Sequence, residues 1–191
     1  MRSIVLAAGL SSRMGKQKLL LPFEGRCVLE HVIENMTEAG LVPIHAVLSD
    51  EVNKALTLSS DNVLVLINEH PEQGQSSSLA IALESIPDGE DFCIMLGDLP
   101  LVKAEAAESL CRKFLQMPEN KSVLAPSRDG IFGHPIFYRS VWRDRFRLAS
   151  GDVGGKKILM KYECEIMRTK VSDEHFKDID TPEEYRNLLR T

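Results

Sequence analysis

Short apolar runs alternate with longer amphipathic stretches along the first 120 or so residues. Ser3-Ile4-Val5-Leu6-Ala7 has the length and make-up of a buried strand. Residues 27–39 then place Val28, Leu29, Val32, Ile33 and Met36 on one helical face, and Gly40 follows as a stop. Residues 44–48 predict a second strand, and Asp50 is a candidate cap for a helix running to about Leu58. Val63 to Ile67 is apolar at every position, the pattern of a parallel strand buried on both faces. A polar loop from Asn68 to Gln75 precedes a helix over 76–85. Phe92 to Leu96 predicts a fourth strand, followed by Gly97-Asp98-Leu99-Pro100 and a helix over 103–117.

Strand and helix thus repeat four times, which predicts an α/β fold with a mostly parallel central sheet covered on both faces, a three-layer Rossmann-like arrangement. The pattern changes after about residue 121. Residues 122–125 and 133–138 read as strands with a turn at Asp129-Gly130, and helices are expected over 140–147 and 153–162. A strand over 163–168 follows. Thr181-Pro182-Glu183-Glu184 opens a last helix, with threonine as cap and proline in the first turn. No internal repeat, low-complexity tract or linker interrupts the chain, so one domain over 1–191 is expected.

Composition narrows the function. Hydrophobic residues make up 43% of the 191 and charged residues 27%, enough for a real core. The formal net charge of -5 argues against nucleic acid as a partner, because phosphate-backbone affinity needs clustered Lys and Arg. An anionic ligand would have to be held locally, by a few basic groups, backbone N–H donors and a metal. Cys27, Cys93, Cys111 and Cys164 form no C-x-x-C pair, and the five histidines show no zinc spacing. No stretch reaches the ~20 apolar residues of a membrane helix. A cytoplasmic protein with no membrane partner is the expectation.

Two segments carry candidate chemistry. The first, Gly9-Leu10-Ser11-Ser12-Arg13-Met14-Gly15-Lys16-Gln17-Lys18, leaves the first strand at the edge where open α/β sheets bind ligands. Gly9 and Gly15 permit close backbone approach, Ser11 and Ser12 offer donors, and Arg13 and Lys18 supply the fixed charge a polyphosphate needs. It is neither of two familiar phosphate loops. Five residues separate Gly9 from Gly15 where G-x-x-x-x-G-K-[ST] needs four, and serine stands at 11 where G-x-G-x-x-G needs glycine. A plain Gly/Ser turn with solvated charges is the alternative. The second segment is Gly97-Asp98, at the same edge by the same rule. A carboxylate there suits Mg²⁺, which takes one or two carboxylates plus substrate phosphates; capping of the following helix is the competing reading.

These segments together resemble the molybdenum-cofactor nucleotidyltransferases, within the wider family of sugar- and cofactor-nucleotide pyrophosphorylases. The resemblance rests on residues 6–22, 72–79, 95–100, 133–138, 151–155 and 178–185, in order along nearly the whole chain. The guanylyltransferase branch usually has Gly-Gly where this chain has Ala8-Gly9, which favours the cytidylyltransferase branch and CTP over GTP. The resemblance implies a nucleotide-diphospho-sugar transferase type of fold, with about 1–120 as the nucleotide-binding part and about 121–191 as the acceptor side. It implies that Leu6, Ala7, Ala8 and Gly9 line the base and ribose, with Ser11, Ser12 and Gly15 completing the loop and Gly74 and Ser78 against the same nucleoside. Arg13, Lys18 and Asp98 would be catalytic, Asp98 would bind Mg²⁺, and Asp180 would add a second metal contact.

His134, Pro135 and Asp152 would face a molybdopterin-type acceptor, and a molybdenum hydroxylase such as xanthine dehydrogenase would be the recipient of the product. Each has a plain alternative: His134 as a packed core residue, Asp152 as a helix cap, Asn68 and Gln73 as simple loop residues. The rival functions are a guanylyl or sugar-phosphate nucleotidyltransferase of the same fold, and a non-catalytic cofactor carrier.

Overall fold

The structure is a computed structural model and describes residues 1–58, 60–148 and 155–190, with backbone only for 155–157. In chain order, β1 (Arg2–Ala7) leads through a 3-10 turn at Lys18–Leu20 to a hairpin, β2 (Pro22–Phe23) and β3 (Arg26–Cys27), and then to α1 (Val28–Glu38). The regular half continues with β4 (Ile44–Ser49), α2 (Asp50–Ala55), β5 (Val63–Asn68), α3 (Gln75–Ser85), β6 (Phe92–Leu96) and α4 (Ala104–Leu115). The second part holds β7 (Val123–Arg128), β8 (Ile131–Phe132), β9 (Ile136–Tyr138), α5 (Trp142–Leu148), α6 (Gly155–Lys161), β10 (Ile166–Thr169) and α7 (Pro182–Leu188).

One sheet runs β10-β7-β9-β6-β1-β4-β5, with β8 beside β7. β1 lies parallel to both β4 and β6, and β5 and β10 extend the sheet in parallel. β9 alone among the seven strands of this path is reversed, antiparallel to β6 and β7. The α/β, mostly parallel expectation therefore holds. The chain leaves β1 toward β4 on one side and returns to β6 on the other. That is a topological switch point, where a crevice opens at the carboxyl ends of the strands.

Strand alternation divides the core. Val5, Ala46, Met95 and Leu124 pack with Val32 and Met36 of α1 and with Leu110 and Phe114 of α4 on one face. Ile4, Phe92, Ile94 and Val123 pack with Ala82 and Leu83 of α3 and with Trp142 of α5 on the other. Phe92, Phe114, Phe137 and Trp142 are fully buried, each contributing roughly 2–3 kcal/mol of transfer free energy.

Several sequence expectations shift. Ser49, not Asp50, caps α2, its hydroxyl accepting from Val52 N, and the helix stops at Ala55 rather than Leu58. The strand expected over 133–138 is shortened to β9, with Gly133 to Pro135 outside it, and β8 precedes it as an additional short strand. The strand expected from 163 begins at Ile166, after a 3-10 turn over Glu163–Glu165. β5 is the sheet edge, and Leu64 and Ile67 are exposed. An all-apolar run thus does not distinguish a central strand from an edge strand lined by α2 and α3. Among the described residues, no helix is long and apolar enough to cross a membrane.

Candidate active site

The end of β6 is pressed against the end of β1. A Cβ on Gly97 would stand 3.0 Å from Ala7 Cβ and 3.3 Å from the Leu6 carbonyl oxygen, and the Gly97 N–H donates to that same oxygen at 2.9 Å. Glycine at 97 is what lets Asp98 sit beside the loop leaving β1. That loop is tied by its own side chains. Gln17 Nε2 donates to the Gly9 carbonyl at 3.2 Å, Ser11 Oγ donates to Gln17 Oε1 at 2.8 Å, and the Lys18 N–H donates to Ser11 Oγ at 3.1 Å. Ser11 adopts φ 50 to make this arrangement. Leu19, buried in the core beside Lys18, anchors the other end of the loop.

Lys18 lies between two acids. Its Nζ is 2.5 Å from Asp98 Oδ2 and 2.7 Å from Asp180 Oδ1, and Arg13 Nη2 is 2.5 Å from the second Asp180 oxygen. The Lys18 and Asp98 side chains are only 12% and 13% exposed, so their attraction is little screened. Burial alone would lower the Lys18 pKa, but the Asp98 charge and the bonds to Asp180 and Asp98 outweigh it, and the net shift is upward. Burial likewise acts to raise Asp180, while the bond to Lys18 and the charges of Lys18 and Arg13 pull it below the usual carboxylate value. α7 positions Asp180: Thr181 and Glu184 form a capping box, and Glu184 Oε2 also accepts from the Asp180 N–H at 2.8 Å.

A third acid completes the group. Oxygen atoms of Asp98, Asp178 and Asp180 all lie within 4.8 Å of one another. Partial desolvation, then the charges of Asp98 and Asp180, push the Asp178 carboxyl above its usual range. Three carboxylates thus face two paired cations, leaving one negative charge uncompensated. Asp98 Oδ1 is buried and has no hydrogen-bond partner among the described residues. An unpartnered carboxylate oxygen is costly unless something binds it, and a set of hard oxygen donors fits Mg²⁺ or another hard divalent cation. These residues therefore fit the metal that the resemblance implies.

Two adjoining cavities open at this edge. The smaller, about 270 Å³, is lined by Leu6 to Leu10, Lys18, Gly74, Ser78 and Asp98 among others. The larger, about 690 Å³, is lined chiefly by side chains of α3, β6 and β9 together with Phe132, Phe146 and Leu159. Leu6, Gly74, Gln75 and Leu96 border both. Gly74 starts α3 at φ 84, a left-handed conformation that glycine adopts without strain. The α3 start is held by Asn68, which donates to Ser77 Oγ and Ser78 Oγ, each at 2.9 Å.

The structure thus brings Leu6, Ala7, Ala8, Gly9, Lys18, Gly74, Ser78 and Asp98 around one cavity, with Asp180 behind Lys18. Ser11, Ser12, Arg13 and Gly15 do not line it; Ser11 is spent on the loop and Arg13 on Asp180. His134 lines the larger cavity, Pro135 is buried beside it, and Asp152 lies outside the described residues. Asp98 does not cap α4, which begins at Ala104 with Lys103 at its cap position. Two residues escaped sequence reasoning. Asp178 stands two positions before Asp180, and that alternation was the available signal; Asn68 reads as ordinary loop, and only the fold shows it pinning α3.

Comparison with known proteins sets this geometry in a family. The chain is 27% identical over 195 residues to the molybdenum cofactor cytidylyltransferase of Escherichia coli strain K12, covering 95% of this chain and 92% of that protein. It is 28% identical over 139 residues to the bifunctional protein GlmU of Marinobacter nauticus, 72% of this chain, but spans only 30% of that longer relative. In fold it is similar to Rv0371c of Mycobacterium tuberculosis, at TM-score 0.83 and 24% identity over 100% of this chain and 99% of that one. A manganese complex of that same protein gives 0.79. The description of the MobA-like NTP transferase domain matches residues 3–166, and the chain belongs to that nucleotidyltransferase family.

Proposed function

We propose that the protein transfers CMP from CTP to the phosphate of a molybdopterin-type cofactor and releases pyrophosphate. The observation that carries this reading is the buried, unpartnered Asp98 Oδ1, set among three carboxylates at the wall of a cavity built from the β1 loop and adjoining a second, larger cavity. Two neighbouring spaces that share Leu6, Gly74, Gln75 and Leu96, the last of them two positions before Asp98, suit two substrates that must touch. The cytidylyltransferase relative, matched over nearly its full length, supports the choice of CTP and of the acceptor.

The smaller cavity takes the nucleotide, against the Leu6–Gly9 backbone, Gly74 and Ser78. The larger takes the acceptor, between α3 and β6 of the first 120 residues and the segments from Ile131 to Leu159 that follow. An acceptor phosphate oxygen forms a bond to the α-phosphorus of CTP. The bond to pyrophosphate breaks, and pyrophosphate leaves with the electron pair. A phosphate monoester is already ionised near neutral pH, so no general base is needed. Lys18 offsets the repulsion between two anions and steadies the departing pyrophosphate, while Arg13 acts through Asp180, the carboxylate it shares with Lys18. Asp98, Asp178 and Asp180 would hold Mg²⁺, which supplies charge neutralisation of the phosphates when bound. The GlmU similarity raises a sugar phosphate as the rival acceptor. The aliphatic wall of the larger cavity, with Ile94, Leu96 and Ile136, favours a flatter and less hydroxylated molecule.

The test is mass spectrometry of products after incubation with molybdopterin, Mg²⁺ and each of CTP, GTP, ATP and UTP, with pyrophosphate measured. The cytosine dinucleotide with stoichiometric pyrophosphate is expected. Product with another triphosphate alone, or nucleotide binding without pyrophosphate, contradicts the reading.

A further inference from the structure

The larger cavity is walled on its sheet side by β6 and β9, and the antiparallel register orders what it presents. Phe92 stands opposite Tyr138 and Ile94 opposite Ile136, so His134 falls beside the carboxyl end of β6, toward Asp98. On this wall Ile94, Leu96 and Ile136 are aliphatic; Tyr138 brings a polar atom at the far end and His134 one at the end near the reacting corner.

The imidazole of His134 is held in one orientation and one tautomer. Its Nδ1 is 3.1 Å from the Ile94 carbonyl oxygen, and a carbonyl only accepts, so Nδ1 carries the proton. The backbone around it is clamped by His175: the His134 N–H donates to the His175 carbonyl at 3.1 Å, and His175 Nδ1 donates to the His134 carbonyl at 2.6 Å. Burial pulls the His134 pKa below the usual imidazole range, against the bond to Ile94 and the Asp98 charge, and so favours the neutral ring. In a neutral ring with Nδ1 protonated, Nε2 is an acceptor. Nε2 is bonded to no described residue and His134 lines the larger cavity, so the fold offers it to that cavity.

We propose that His134 is the residue that reads the acceptor, through a hydrogen bond donated by the acceptor to Nε2. The substrate class is then a heterocycle with a ring or exocyclic N–H set back from its phosphate, rather than a bare alkyl or sugar phosphate. This inference rests on the reading of the larger cavity as the acceptor site and adds to it the contact that selects the acceptor.

Two substitutions separate anchoring from reading. His134→Asn keeps an N–H that reaches the Ile94 carbonyl and removes the acceptor at the Nε2 position. His134→Gln gives up that bond but returns an oxygen near Nε2. Steady-state kinetics with molybdopterin and CTP, together with the Kd for CTP as a check of the folded nucleotide site, give the readout. His134→Asn is expected to raise the acceptor KM ~10-fold, the loss of about one hydrogen bond, with the CTP Kd unchanged. His134→Gln is expected to return KM to within about threefold of wild type. An acceptor KM unchanged in His134→Asn overturns the inference while leaving the proposed reaction standing. Wild-type protein that uses no molybdopterin with any triphosphate overturns both. If His134→Asn fails to bind CTP and so to fold, His134→Gln decides alone: an acceptor KM near wild type supports the hydrogen bond, and one raised as far as a missing contact would raise it overturns it.

Discussion

Two clusters in this molecule pair basic with acidic side chains in partly buried surroundings, and they differ in completeness. Beneath α5, Arg145 makes two bonds to Glu165 at 2.8 and 3.0 Å, Ser122 donates to Glu165, and Trp142 Nε1 donates to Ser122 at 2.8 Å. Arg145 also lies over the Trp142 and Tyr162 rings, 5.0 and 3.9 Å from their centroids. No polar side-chain atom of this group is left buried without a partner. At the end of β6, the same kinds of residue leave Asp98 Oδ1 unpartnered and a third carboxylate without a cation of its own. A closed network holds elements together, whereas an open one holds free energy in reserve for a ligand. The difference between ionic cement and an ionic site is the missing partner.

Substitutions in the two clusters should therefore fail in opposite ways. Asp98→Ala should abolish metal-dependent turnover, a loss of several powers of ten in kcat, with the thermal midpoint unchanged or raised, since the substitution removes an unsatisfied buried oxygen. Turnover near wild type with saturating CTP and Mg²⁺ would dissolve the contrast. Trp142→Ala should cost about 3–5 kcal/mol in denaturant unfolding, because it empties a fully buried site and frees Ser122, while the CTP KM of the surviving folded protein stays put. Lys18→Ala should lower kcat by roughly two to three powers of ten, equivalent to about 3–4 kcal/mol at a preorganised site, with a much smaller effect on stability.

Glu165→Gln gives the smallest effect and the sharpest sign. The Glu165 pKa is lowered chiefly by the Arg145 bond, burial opposing it and Ser122 assisting. A carboxylate lowered on folding stabilises the protein above its ordinary value of 4.5, and that contribution disappears as pH falls through the folded value. Wild type should therefore exceed Glu165→Gln by about 1–3 kcal/mol at neutral pH, with the gap closing only in acid. A gap that widens in acid would show that the pair is not ionic.

The regular half of the fold could be read from the chain because each strand and helix there carries its own hydrophobic period. Val28 to Met36 marks α1 and Phe92 to Leu96 marks β6 without reference to any neighbour. Where tertiary context decides, reading failed. Ser49 displaced Asp50 as cap because its hydroxyl, not the next carboxylate, reaches Val52 N. The apolar run of β5 looks central in sequence, yet among the described residues nothing pairs with its outer edge. At the site, Gly9, Lys18 and Asp98 were legible because strand ends at one sheet edge must converge. Asp178 was not, since its role depends on how α7 and the segment before it dock beside Lys18. Arg13 was legible as a cation but not as a partner of Asp180, a contact across 167 positions.

The central claim is that the glycine loop after β1 and the acids at 98, 178 and 180 form one metal-dependent nucleotide site. Calorimetric titration of CTP into wild-type and Asp98→Asn protein, each with and without Mg²⁺, tests it most directly. Mg²⁺ should tighten CTP binding to wild type at least ~10-fold, about 1.4 kcal/mol, and should do nothing for Asp98→Asn at unchanged thermal midpoint. CTP binding that is equally Mg²⁺-dependent in both proteins would contradict it.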